Sequence, residues 1–243
     1  YRGGRLFEFN GGKFGTHIKY GFVPEVSREG YISEGDLAGI QPNKDFVSGY
    51  EKIMDRCAAY ASVEALGVSA LYQHSAWKQS AGNSDVVLLD IEAMFSNAKA
   101  AADDAMEDKL AAGYSHDRFD IVLYNGASRE LRVFEAKHFS NLELWSSAHN
   151  PRVNEQIKRY MEVIAGRKKE IIDAYARQID IMNRLFKKNF LQPQTISEKV
   201  GLLLFGFDIN QQSKITDSDY INKPYKIGNV ARISAATLFD SIG

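Results

Sequence analysis

The sequence is poor in several things that would have narrowed its function at once. It contains a single cysteine, Cys57, so no disulfide forms within the chain, as expected for a reducing cytoplasm. Its longest run of apolar residues and glycine, "VGLLLFGF" (200–207), is far too short to span a bilayer, so no membrane partner is expected. No charged-then-apolar leader pattern opens the chain. It begins at Tyr1 rather than methionine, which is compatible with a piece of a longer protein. No internal repeat or low-complexity tract is present. The five histidines, at 17, 74, 116, 138 and 149, are scattered without an HExxH pattern or cysteine partners, which argues against a histidine-ligated metal enzyme. Cys57 falls on the apolar stripe of a predicted helix, where inert core thiols sit, which argues against a cysteine hydrolase. "GGKFG" (11–15) is not a phosphate loop. Phe7 stands where a Walker pattern ending at Gly12-Lys13 needs glycine, and Phe14 where it needs Ser or Thr.

Charge of one sign is also lacking overall, the formal net charge being −1, but the average conceals an asymmetry. Residues 85–120 carry nine acidic against three basic side chains, whereas residues 151–190 carry ten basic against five acidic. The basic segment includes Lys158, Arg159, Arg167, Lys168 and Lys169. Such a segment is either a solvated helix face or a surface that contacts phosphates even in a neutral protein.

What is present reads as a mixed α/β domain. Residues 1–45 are glycine-rich with short β-type fragments and form a β-rich N-terminal extension; residues 46–243 form the main domain. "VSGYEKIMDRCAAYASVEALG" (47–67) has helical period, with Gly67 as its stop and Glu64 on or beside the apolar stripe. "DVVLLD" (85–90) is either a strand or the start of the next helix. "EAMFSNAKAAADDAMEDKLAAG" (92–113) is predicted as an amphipathic helix with Met94, Phe95, Ala98, Ala102, Ala105, Met106 and Leu110 inward. Residues 117–137, "DRFDIVLYNGASRELRVFEAK", read as two alternating strands around Asn125-Gly126. A loop (139–151) and a long helical region (151–189) follow, the latter predicted to break into two helices at Gly166 with "RKK". "VGLLLFGFD" (200–208) is a buried strand, and the final segment is a strand or short helix. The expected architecture is a mixed sheet core flanked by helices.

The hairpin carries the chemistry. Leu131, Val133, Glu135 and Lys137 share one face of its second strand, and Asp120, Val122 and Tyr124 share one face of the first. Loops of different length give paired residue numbers that add to 251, 253 or 255, all odd. Asp120 therefore shares a face with Glu135 in every case, and lies directly opposite it for 255. Directly opposed side chains have Cβ atoms roughly 4.5–5.5 Å apart. Two carboxylates that close repel unless a positive charge lies between them. A hard divalent cation such as Mg²⁺, with Mn²⁺ as substitute, satisfies oxygen ligands of this kind. The plainer reading of Glu135 and Lys137 is a charged strand edge, which leaves the apolar Leu131 and Val133 on the same face unexplained.

Asp120 with Glu135-Ala136-Lys137 resembles the D…ExK core of the PD-(D/E)xK, or restriction-endonuclease-like, nuclease superfamily. Gln156-Ile157-Lys158-Arg159-Tyr160 is similar to the QxxxY element of its RecB-like branch, on the helix after the ExK strand. The resemblance covers about residues 117–160. It implies a restriction-endonuclease-like fold, with Asp120, Glu135 and the carbonyl of Ala136 binding Mg²⁺ and Lys137 assisting the water. Gln156 and Tyr160 would support the site, and Glu64 would be a first-helix acid joining it. Phe119 stands where the motif's proline is expected, and Asp117 is an alternative to Asp120 as the metal acid. For Gln156 and Tyr160 the plainer reading is an ordinary i,i+4 surface pair. The activity implied is a cytoplasmic Mg²⁺-dependent endonuclease acting on double-stranded DNA in bacterial restriction or anti-phage defence, as a homodimer or a partner subunit of a defence complex. The competing reading is a nuclease-fold module that binds nucleic acid or a partner protein without cutting.

Overall fold

The computed structural model describes residues 8–10, 13–15, 54, 61–77, 85–95, 118–147 and 149–242. The chain divides into two compact units, Tyr1–Ser69 and Ala70–Gly243. In the first, β1 (Glu8–Asn10) and β2 (Lys13–Gly15) pair antiparallel. Helix α1 (Val63–Ser75) straddles the boundary between the units.

The second unit is an α/β structure built on a five-stranded mixed sheet. Its strands are β3 (Val86–Met94), β4 (Arg118–Asn125), β5 (Glu130–His138), β6 (Thr195–Phe205) and β7 (Tyr225–Ile227), in the spatial order of their numbering. The β3–β4–β5 half is antiparallel and the β5–β6–β7 half parallel. The parallel step from β5 to β6 needs a crossover, and α2 (Val153–Phe186) supplies it. Helix α2 packs on β5 and β6, while the short C-terminal helix α4 (Ala235–Asp240) packs on β3 and β4. Another short helix, α3 (Ile209–Gln212), follows β6 and is closed by a capping box from Asp208 and Gln211.

Both sheet faces are covered, so the middle strands are buried almost throughout. Leu131, Val133, Val122 and Tyr124 join the core beneath α2 with Ile157, Tyr160, Ile164, Ile171, Tyr175 and Ile179. Those helix residues recur at three- and four-residue spacing, as the apolar stripes of the sequence require. One non-helical residue, Arg167 (φ −128°, ψ 20°), kinks α2 beside Gly166, where the sequence suggested a break. On the other face Arg132 donates to the carbonyls of Phe239 (2.6 Å) and Ile242 (2.5 Å) and lies over the Phe239 ring. The closing segment is thus tied down as a helix.

Three local expectations are corrected. Glu92–Met94 belong to β3 and not to a helix starting at Glu92; ladder pairing with β4 (Ala93↔Phe119, Met94↔Arg118) overrides helix propensity there. Phe95 does turn inward, onto Phe119 and Tyr175, and the rest of that predicted helix lies outside the described residues. Gly67 is inside α1 and does not end it. Burial of Val68 and Leu71 beyond it outweighs a penalty of about 1 kcal/mol for glycine in a helix. Of the predicted 47–67 stripe only Met54 and the residues from Ala61 onward are described. Finally, β6 begins at Thr195, earlier than expected, and ends before Gly206. That glycine has φ +78°, and a Cβ there would meet the His138 ring at 2.1 Å, so the strand can leave the sheet beside His138 only with glycine.

Candidate active site

The β4–β5 hairpin is closed by Gly126–Arg129, with Asn125 opposite Glu130 and Ile121 opposite Phe134. Asn125 Oδ1 accepts from the amides of Ala127 (2.9 Å) and Ser128 (3.1 Å), and Arg129 takes φ 57° to return the chain. A four-residue connection of this kind is a common hairpin loop. Paired numbers add to 255, the register that sets Asp120 level with Glu135.

The ladder between β4 and β5 stops at Ile121↔Phe134, although both strands run on. Beyond that point the Asp120 side chain replaces the missing backbone partner: its Oδ2 accepts from the Ala136 amide at 3.0 Å. The N–H and C=O of one strand residue point to the same side. The Ala136 carbonyl is therefore directed into the same gap as its amide, toward β4 and Asp120.

Glu135 is wholly buried and Lys137 only 7% exposed. The Lys137 ammonium meets Glu135 Oε1 at 2.8 Å and Glu143 Oε2 at 2.7 Å. Neither buried oxygen of Glu135 has a hydrogen-bond partner of regular geometry among the described residues. Burial, and then the negative charge of Asp120, push the Glu135 carboxyl well above the ordinary carboxylate range, against the pull of Lys137. Burial also raises Asp120, with the Ala136 amide and Lys137 working the other way. Both carboxyls are thus raised together, as a closely spaced pair.

Tyr160 comes to this cluster from α2. Its hydroxyl donates to the backbone carbonyl of Arg118, two residues before Asp120, and accepts from Gln156 Nε2 at 3.1 Å. Burial first, then the Glu135 and Asp120 charges, hold its hydroxyl firmly protonated. Gln156 and Tyr160 thus form a chain of hydrogen bonds that fixes the start of β4, and the pair is not an ordinary surface contact. Phe119 packs edge-on against the Tyr160 ring, centroids 5.1 Å apart, which gives the position before Asp120 a packing role.

Glu64 is in the first turn of α1, in the N-terminal unit. Asp117 lies outside the described residues. Lys158 and Arg159 are exposed on the first turns of α2. Arg167, Lys168 and Lys169 face acids of the chain itself: Arg167 binds Glu170 through two contacts and the carbonyl of Phe95, Lys168 binds Glu198, and Lys169 binds Asp173. Sequence reasoning overlooked Glu143. It sits on a 3₁₀ turn, Leu142–Leu144, in the segment read as plain loop; the helical fragment "NLEL" after a capping Asn141 was the available signal.

Comparison with family models, with curated proteins and with solved structures yields no match.

The carboxylates of Asp120 and Glu135 are oxygen donors of the kind that could hold a hard cation. Asp120, Glu135 and Glu143 bring three carboxylates toward one lysine, which meets Glu135 at 2.8 Å and Glu143 at 2.7 Å, and Glu135 is wholly buried. Among the described residues no three His, Cys, Asp or Glu side chains are grouped to hold a metal.

Proposed function

We propose that the chain is a Mg²⁺-dependent phosphodiesterase, an endonuclease of the PD-(D/E)xK type acting on double-stranded DNA. The observation that carries this reading is the convergence of Asp120, Glu135 and Lys137 at the point where the β4–β5 ladder opens. Supporting it is the order of parts that the resemblance expects: the aspartate on one hairpin strand, Glu-x-Lys ending the next, and the Gln-Tyr pair on the following helix. Asp120, Glu135 and the Ala136 carbonyl hold the ion. When bound, such an ion lowers the pKa of a water and absorbs charge on a phosphate oxygen. Lys137 places its ammonium beside the reacting phosphate and stabilises the negative charge that builds there. Tyr160 and Gln156 act as positioning residues through the Arg118 carbonyl. The exposed Lys158 and Arg159 contact backbone phosphates, which supplies affinity rather than sequence choice. The setting we propose is the bacterial cytoplasm, in restriction or anti-phage defence, with the chain acting as a homodimer or within a defence complex.

The test is cleavage of supercoiled plasmid by the purified chain. Nicking is expected with Mg²⁺ or Mn²⁺, and none is expected with chelator. Cleavage that persists in excess chelator removes the metal dependence, and no cleavage alongside tight DNA binding removes the hydrolytic assignment and leaves a binding module.

A further inference from the structure

Lys137 does two things at once in the structure. Its ammonium neutralises Glu135 at 2.8 Å, an oxygen that a cation at the Asp120–Glu135 pair needs, and it simultaneously meets Glu143 at 2.7 Å. An ammonium and a divalent ion held on one carboxylate repel each other, which favours a second anion as anchor for the ammonium. A lysine this buried has little access to water in which to retreat. Glu143 offers it a second anchor that is already in contact. The turn carrying Glu143 is fixed from several directions. Asn141 Oδ1 accepts from the Glu143 amide at 2.9 Å, and Ser146 Oγ donates to the Glu143 carbonyl at 3.2 Å. Trp145 Nε1 donates to the Phe139 carbonyl at 2.9 Å while the two rings pack 4.9 Å apart. The Glu143 side chain is 43% exposed as a whole, yet the oxygen on Lys137 is buried. Its exposed stem tolerates substitution and its buried tip faces the site.

We propose that Glu143 is a positioning residue that takes over the Lys137 ammonium when a divalent cation loads onto Asp120 and Glu135. This rests on the phosphodiesterase reading above. The takeover relieves the competition between ammonium and ion and keeps Lys137 at a fixed place beside the phosphate.

The experiment compares wild type, Glu143→Gln, Glu143→Asp, Lys137→Met and the Lys137→Met/Glu143→Gln double variant, in the full chain. It reads Mn²⁺ affinity by titration without DNA, and plasmid cleavage separately. Glu143→Gln is expected to weaken Mn²⁺ binding and turnover by about 10–100-fold, the range seen for residues that orient a metal site's groups, with KM for DNA little changed. Glu143→Asp, which keeps the carboxylate, recovers part of both. In the Lys137→Met background the Gln substitution changes Mn²⁺ affinity by no more than about 2-fold, because the lysine through which Glu143 acts is gone. An equal loss in both backgrounds makes Glu143 act directly on the ion and overturns the proposal. So does a Glu143→Gln protein indistinguishable from a wild type that binds Mn²⁺ and cleaves. A wild type that neither binds Mn²⁺ nor cleaves removes the phosphodiesterase reading, and this inference with it.

Discussion

Two acids of the same sheet, Asp90 half-buried and Glu135 wholly buried, have opposite fates. Asp90 on β3 is raised by burial, but its needs are met by neutral groups: Oδ1 accepts from the Ile91 amide at 2.8 Å, and Oδ2 faces the Tyr175 hydroxyl at 3.4 Å. Glu135, two strands away, is also raised by burial, yet it is surrounded by charge, with Asp120 on one side and Lys137 on the other. Burial alone therefore does not distinguish a site from a structural polar pair. What distinguishes the second acid is that further ionic groups converge on it from β4, β5 and the turn before α2. Asp90 and Tyr175 close on each other, whereas the Glu135 cluster gathers several ionic groups around one lysine.

The sharpest way to break this contrast is substitution at both places. Glu135→Ala or Lys137→Ala is expected to lower plasmid cleavage by at least about 10²-fold, the usual cost of losing a group that faces developing charge. Asp90→Asn, which keeps an acceptor for the Ile91 amide and lets its NH2 donate to the Tyr175 oxygen, is expected to stay within about 2-fold of wild type. Equal losses at both sites would dissolve the distinction.

A smaller effect separates the two on metal addition. Mn²⁺ at a hundred-fold excess over Kd stabilises a protein that binds it by about 2.7 kcal/mol. Thermal melts of wild type and Asp90→Asn are expected to move upward by several degrees with Mn²⁺, and those of Asp120→Asn to stay put.

The pH dependence of metal-free stability is smaller again, and its sign follows from the raised carboxyls. A folded state that holds a proton more tightly than the unfolded chain has its full advantage at low pH, below the unfolded carboxylate pKa. It loses that advantage as pH climbs toward the folded value. Wild-type stability in chelator is therefore expected to decline from the ordinary carboxylate range upward. Denaturant titrations of Glu135→Gln should show a flatter profile and higher stability at alkaline pH. Asp90→Asn should flatten it less, since Asp90 has no neighbouring carboxylate raising it further. A wild type that grows more stable with rising pH contradicts the assigned directions.

The smallest effect concerns the basic segment. Each lost phosphate contact changes the slope of log affinity against log salt by about 0.9. Neutralising Arg167, Lys168 and Lys169, already engaged by Glu170, Glu198 and Asp173, should leave that slope nearly unchanged. Neutralising Lys158 and Arg159 should reduce it by about one to two.

The site was legible in the sequence to the extent that it is a consequence of strand parity. Alternation alone put Asp120, Glu135 and Lys137 on one face, and odd sums excluded the opposite arrangement for every even loop. Which loop closes the hairpin was not legible, because Asn125-Gly126 suits several turns. The αL residue that sets the register is Arg129, a type with no particular preference for that conformation. The stripes of α2 were readable because helical period persists over many turns. The error at Glu92–Met94 arose where an alanine-rich stretch follows a strand, and only pairing with β4 decides the boundary. Charge counts over residues 151–190 misled in a different way: a count cannot show that Arg167, Lys168 and Lys169 face acids brought close by helix spacing and by β6.

The most direct test is an anomalous-scattering map from crystals of the chain grown with Mn²⁺. The account predicts one strong peak within about 2.0–2.4 Å of a carboxylate oxygen from each of Asp120 and Glu135, with the Lys137 ammonium drawn off Glu135 onto Glu143. A map with no ion between those carboxylates at millimolar Mn²⁺, and Lys137 still paired to Glu135, contradicts it.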